Sequence, residues 1–173
     1  ELPEVETVAR DLRRAGLIGR AVRRVDIRWP RTVAPLDPAR FRDALRRQTF
    51  TALRRRAKYL VFHLSGGADL LVHLRMTGQF HWLASDQAPD PHDRLILTLD
   101  DGRRLGFRDT RKFGRWTLVP NAETHLAHLG PEPLHRTFSP RLLHDRLAGR
   151  LGRLKSLLLD QRCVAGLGNI YAD

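Results

Sequence analysis

The 173-residue chain contains one cysteine, Cys163. That excludes an internal disulfide and any cysteine-rich zinc site within these residues. Lysine is nearly as scarce: only Lys58, Lys112 and Lys155 stand among 31 basic residues. No apolar run approaches the ~20 residues of a membrane-spanning helix. The N-terminus is acidic and amphipathic, not basic and then apolar, so no signal peptide is expected and the cytoplasm is the expected compartment. Acids are short as well, 19 against 31 bases, which gives a formal charge of +12. Charge of this sign suits a phosphate backbone or an anionic membrane surface. A uniformly arginine-rich composition would produce the same total without any specific partner.

The few acids are not spread evenly. Glu1, Glu4 and Glu6 crowd the first seven residues, Glu1-Leu2-Pro3-Glu4-Val5-Glu6-Thr7. Read alone, this is a helix start: Pro3 fits the first turn, and the acids suit the positive end of the helix dipole. Val5, Val8, Ala9 and Leu12 recur at helical steps, predicting a helix over residues 3–15. Residues 21–29 alternate as a strand, and Asp37-Pro38 opens a second helix.

From residue 48 to about 119 the period is mostly two. Ser65-Gly66-Gly67 and Asp101-Gly102 mark hairpins. Short strands with helices at the margins predict an α+β chain built on a β-sandwich or irregular barrel. After Pro120 the pattern turns helical. Helices are expected over Glu123–Leu129, from Ser139-Pro140 to Leu147, over 153–163, and from Asn169 onward. The predicted division is 1–122 and 123–173.

Six segments, in order, carry a resemblance: ELPEVET at the start, RRAKYL (55–60), HLRMTG (73–78), DTRKFGR (109–115), HLGPEPL (128–134) and GLGNIYAD (166–173). Together they resemble the formamidopyrimidine-DNA glycosylases, which excise oxidised purines such as 8-oxoguanine. The resemblance implies a helix-flanked β-sandwich followed by an all-helical domain that begins a helix–two-turn–helix element. It also implies a proline directly ahead of ELPEVET, whose secondary amine is the nucleophile, and a C-terminal zinc finger holding one structural zinc ion. The numbering here opens on Glu1 and stops inside the helical part. The expectation is therefore a chain without that proline and finger, and with no cofactor of its own.

The site residues follow from the same match. Glu1 corresponds to the acid that protonates the sugar ring oxygen, against the plain alternative of an exposed terminal carboxylate. Glu4 corresponds to an acid that positions the damaged base, and Glu6 to a helix-orienting group. Lys58 corresponds to a lysine of the elimination chemistry. It lies in Arg54-Arg55-Arg56-Ala57-Lys58, a run that otherwise reads as a solvated basic face. Met76, Arg111 and Phe113 correspond to side chains that fill the gap left by a flipped base. His73, His92, Arg150, Lys155 and Asn169 correspond to phosphate contacts. Asn169 is alternatively an ordinary helix cap. His125, His128, His135 and His144 have no paired metal-ligand spacing.

The implied activity is a bifunctional glycosylase and abasic-site lyase of base excision repair. Its partner is duplex DNA with the oxidised purine opposite cytosine, bound by a monomer. An unrelated basic RNA-binding protein would explain the charge but not the six ordered segments, and two nearer alternatives stand beside the implied activity. One is an endonuclease VIII-type glycosylase for oxidised pyrimidines, against which Leu2 counts. The other is a damaged-DNA-binding fragment without catalysis.

Overall fold

The computed structural model describes residues 1–173. Helix α1 (Leu2–Arg14) buries Leu2, Val5, Ala9 and Leu12 on one stripe. Strand β1 (Val22–Ile27), helix α2 (Pro38–Leu45), and strands β2 (Phe50–Arg56), β3 (Tyr59–Leu64), β4 (Asp69–His73), β5 (Gln79–Leu83), β6 (Asp93–Leu99), β7 (Arg104–Arg108) and β8 (Arg115–Val119) follow. Asp37 caps α2 by accepting from the Ala39 and Arg40 amides, as its position before Pro38 predicts.

The strands form two antiparallel four-stranded sheets, ordered β1-β6-β7-β5 and β2-β3-β4-β8. Between them lies a core of 23 buried apolar residues, with Phe50, Phe62, Phe107 and Trp116 among the largest. This is the expected sandwich, with α1 laid across β2.

Four short helices complete the chain: α3 (Ala122–His125), α4 (Pro140–Leu147), α5 (Leu154–Leu159) and α6 (Asn169–Ala172). Ala122 and Leu126 pack on Val61, Leu71 and Val119, on the outer face of the second sheet. The buried Asp69 side chain accepts the Ala122 amide at 2.7 Å, which ties α3 to β4. Ser139 caps α4 through the Leu142 amide.

Two local expectations are corrected. The helix over 153–163 ends at Leu159, because the Asp160 carbonyl accepts the Cys163 and Val164 amides in a turn. The helix over 123–129 is one turn long, and Leu126–Leu129 continues as a turn. In the run Arg54–Lys58, Arg54 to Arg56 end β2; Arg54 is exposed, whereas the Arg55 side chain is only 13% exposed. No helix is long and apolar enough to cross a membrane.

Candidate active site and nucleic-acid interface

Helix α1 and helix α6 meet at Glu1. The Glu1 carboxylate accepts from the Ile170 amide at 2.8 Å and the Tyr171 amide at 3.2 Å, across 169 residues of sequence. These are free amides at the start of α6, where an anion is favoured. Glu1 is therefore not the exposed terminal carboxylate of the plain reading; its side chain is 13% exposed. The N-cap of α6 is Gly168, and Asn169 is its exposed first residue, not its cap. Gly168 is required by a close approach: a Cβ there would stand 2.5 Å from the Glu1 carboxyl carbon.

The terminal amine lies 2.9 Å from Glu4, whose other oxygen faces the Tyr171 hydroxyl at 3.5 Å. The hydrogen bond from the amine is the main reason that the Glu4 carboxyl titrates below its ordinary range. Glu6 is turned away and pairs with Arg10, Arg13 and Arg55, a structural role.

Lys58 stands at the tip of the β2–β3 hairpin, near enough to Glu1 to feel its charge. Arg56 pairs with Tyr59, so Ala57 and Lys58 alone make the turn. Lys58 lines a cavity of about 240 Å³ with His73, Arg75, His128 and Gln161. Burial lowers its pKa, Arg75 adds to the effect, and the Glu1 carboxylate opposes it.

His73 packs edge-on against Tyr59 and accepts the Arg75 amide on Nδ1 at 3.0 Å. Burial first, then the charges of Arg75, Lys58 and the terminal amine, push its pKa down to about 3. Any phosphate contact it makes is through a neutral N–H. We expect its ring resonances to stay constant from pH 8 to about pH 4.5 in a nitrogen-detected NMR titration. A titration midpoint near 6.5 would contradict this placement.

Met76, Arg111 and Phe113 come together from two loops. Arg111 donates to the Met76 sulfur at 3.0 Å, and its guanidinium lies 5.1 Å from the Phe113 ring centre. Met76 is 69% exposed and Phe113 47%, so neither is a core side chain. The loops are joined by Asp109, which sequence reasoning missed. Its buried carboxyl group accepts from the Thr77 hydroxyl and from the Gly114 amide at 2.7 Å. Its carbonyl accepts Arg94 Nε at 2.7 Å, and Arg94 Nη2 reaches His92 Nδ1 at 3.1 Å. The signal available was an acid directly before Thr110-Arg111, but nothing local distinguishes it from a turn residue.

Arg150 pairs with Asp160 at 3.0 Å, and Lys155 pairs with Asp173, both exposed on the helical segment. No group of three or more His, Cys, Asp or Glu side chains is placed to hold a metal ion. The zinc implied by the resemblance has no such ligand set among these residues.

Residues 1–116 match the family model described as formamidopyrimidine-DNA glycosylase N-terminal domain, and residues 129–173 match the one described as its H2TH domain. The chain is 45% identical over 173 residues to the formamidopyrimidine-DNA glycosylase of Protochlamydia amoebophila, covering 100% of this chain and 63% of that protein. It is 48% identical to that of Symbiobacterium thermophilum, covering 57% of its length. Less than two thirds of these relatives is thus represented. Among solved structures, Lactococcus lactis Fpg (MutM) in complex with a FAPY-dG containing DNA superposes with a TM-score of 0.91 at 34% identity, over 100% of this chain and 66% of that one. A complex of the same L. lactis protein with an oxidized pyrimidine containing DNA also superposes at 0.91 and 34%, over 65% of its chain.

Proposed function

The chain belongs to the formamidopyrimidine-DNA glycosylase family, and on that premise we propose that it is the catalytic part of a base-excision glycosylase and abasic-site lyase for oxidised purines. The observation that carries the proposal is the fixing of Glu1, beside Glu4, on the Ile170 and Tyr171 amides, with Lys58 near enough to feel the Glu1 charge and an exposed Met76–Arg111–Phe113 wedge on the neighbouring loops.

The phosphate backbone is attracted by the chain's excess of arginine, and the lesion is flipped out of the stack. Met76 and Phe113 fill the gap, and Arg111 meets the orphaned base, a cytosine in the preferred pair. His92, Arg150, Lys155 and Asn169 contact phosphates, with His73 as a neutral donor.

The attacking group is an amine at the chain's N-terminus, and in the family it belongs to a proline ahead of Glu1. An α-amine, at about 8, is far more available at neutral pH than a lysine at about 10.4. It attacks the sugar C1′ while Glu1 protonates the ring oxygen. The ring opens, the base leaves with a proton, and an iminium joins protein to DNA. Glu4 orients the base and the amine. Lys58, its pKa lowered by burial, is placed to relay protons in the β- and δ-eliminations that follow. The work is divided between a sandwich domain (1–122) that carries the chemistry and a helical DNA-binding domain (123–173). The protein acts as a monomer in the bacterial cytoplasm, on the nucleoid.

Borohydride trapping on a duplex carrying 8-oxoguanine opposite cytosine tests this reading, with the N-terminal residue identified by intact mass on the same sample. A covalent adduct located to the N-terminal peptide is expected. No adduct from protein whose free amine precedes Glu1 would overturn it. The oxidised-pyrimidine complex of the L. lactis relative favours including a pyrimidine lesion as a second substrate. Trapping on that duplex alone would assign the chain to pyrimidine repair instead.

A further inference from the structure

The β2–β3 tip that carries Lys58 is held from across the molecule. Ala57 is buried and has φ 52, in the left-handed region that disfavours a Cβ. Both of its peptide groups are bound. Its amide donates to Glu132 Oε1 at 2.8 Å, and its carbonyl accepts Arg55 Nη1 at 3.1 Å. Glu132 also accepts from Arg56 Nη1 at 2.9 Å and, through its other oxygen, from the same Arg55 Nη1. Arg56 Nη2 donates onward to the Leu129 and Gly130 carbonyls at 3.0 and 2.8 Å. The segment 128–132 thus grips the tip, and its His128 and Leu129 line the same cavity as Lys58.

Burial works against a charge on Glu132, whose side chain is only 12% exposed. The bonds from Ala57, Arg55 and Arg56 outweigh that, and the carboxyl titrates below its ordinary range. Three donations converging on one carboxylate make an anchor, and the backbone they anchor is the one that aims Lys58.

We propose that Glu132 is a positioning residue for Lys58. Acting through Ala57 and the two arginines, it holds the hairpin tip so that the lysine stays in the cavity it lines with His73, Arg75 and His128. The inference about placement stands on contacts alone; its catalytic consequence rests on the function proposed above.

The test follows the three lysines by competitive acetylation with acetic anhydride across pH, each read from its own peptide mass. The variants are Glu132→Ala and Glu132→Gln, the latter keeping the volume and one acceptor for Ala57. If Glu132 positions the lysine, Lys58 is released into solvent in the variants and its midpoint rises toward the ordinary lysine value of about 10.4. Lys112 and Lys155 keep theirs. Loss of a negative charge acting through space would move Lys58 the other way. A lowered or unchanged Lys58 midpoint, or a common shift of all three lysines, would overturn the inference.

Strand cleavage of a preformed abasic duplex is measured on the same variants. Cleavage is expected to slow roughly tenfold to hundredfold with duplex affinity unchanged. A moved Lys58 with undiminished cleavage keeps the positioning and removes Lys58 from the elimination. Wild-type protein that fails to cleave sinks the proposed function and leaves the labelling result valid.

Discussion

Replacing Glu1 by glutamine is expected to slow base release by roughly 10²- to 10⁴-fold and to leave the fold in place. The amide keeps an acceptor for the Ile170 amide, which now donates to the carboxylate at 2.8 Å. What it loses is the acid for the sugar ring oxygen. Glu1 is shielded, held by two backbone amides, and adjacent to the amine end of the chain. A group so fixed delivers its proton to one place. Single-turnover release of 8-oxoguanine, with melting temperature as the control, reads both halves of the expectation. A rate within tenfold of wild type would remove Glu1 from the acid role. Gly168→Ala should mimic the loss from the other side, because its Cβ would displace the Glu1 carboxyl carbon from which it would stand 2.5 Å.

Asp109→Ala is expected to cost about 2–5 kcal/mol of stability and to abolish the preference for damaged over intact duplex. The stability loss comes from two donors, the half-buried Thr77 hydroxyl and the buried Gly114 amide, left without an acceptor. The binding loss comes from geometry. Thr77 in turn accepts the Arg111 amide at 3.2 Å, so one side chain sets the spacing of the Met76 loop against the Arg111–Phe113 loop. Gly114 is boxed in as well, since a Cβ there would meet Phe107 Cε1 at 2.7 Å. Urea unfolding and competition binding with lesion and undamaged duplexes measure the two effects. A loss below about 1 kcal/mol with lesion preference intact would show the loops to be held by other contacts.

Much of the sandwich was legible because its signals are local. Hairpin glycines, the Asp37 cap and the apolar stripe of α1 each act within a few residues. Arg55 and Arg56 sit in a run that also reads as a solvated basic face, because their partner Glu132 lies 76 to 77 residues away, beyond the reach of any window. The helix expected to 163 stopped at Leu159 because turn bonds to the Asp160 carbonyl outcompeted helical propensity. Asp109 was invisible for the same reason as Glu132: its meaning is in the loop it reaches, not in its neighbours.

Residue chemistry and order were the sequence's own contribution. It determined the excess of arginine over acid, the scarcity of lysine that makes Lys58 stand out, the acidic N-terminus, and the period that makes strands and helices. Those properties belong to single residues or short windows, so the chain carries them whatever its shape. Tertiary structure decided which residues meet. It brought Glu1 to the free amides of α6, closed Met76 on Arg111 and Phe113, and shielded His73 until its ring was neutral. Hydrogen-bond satisfaction and desolvation act over a few ångströms of space, and only the folded chain determines what lies within that distance.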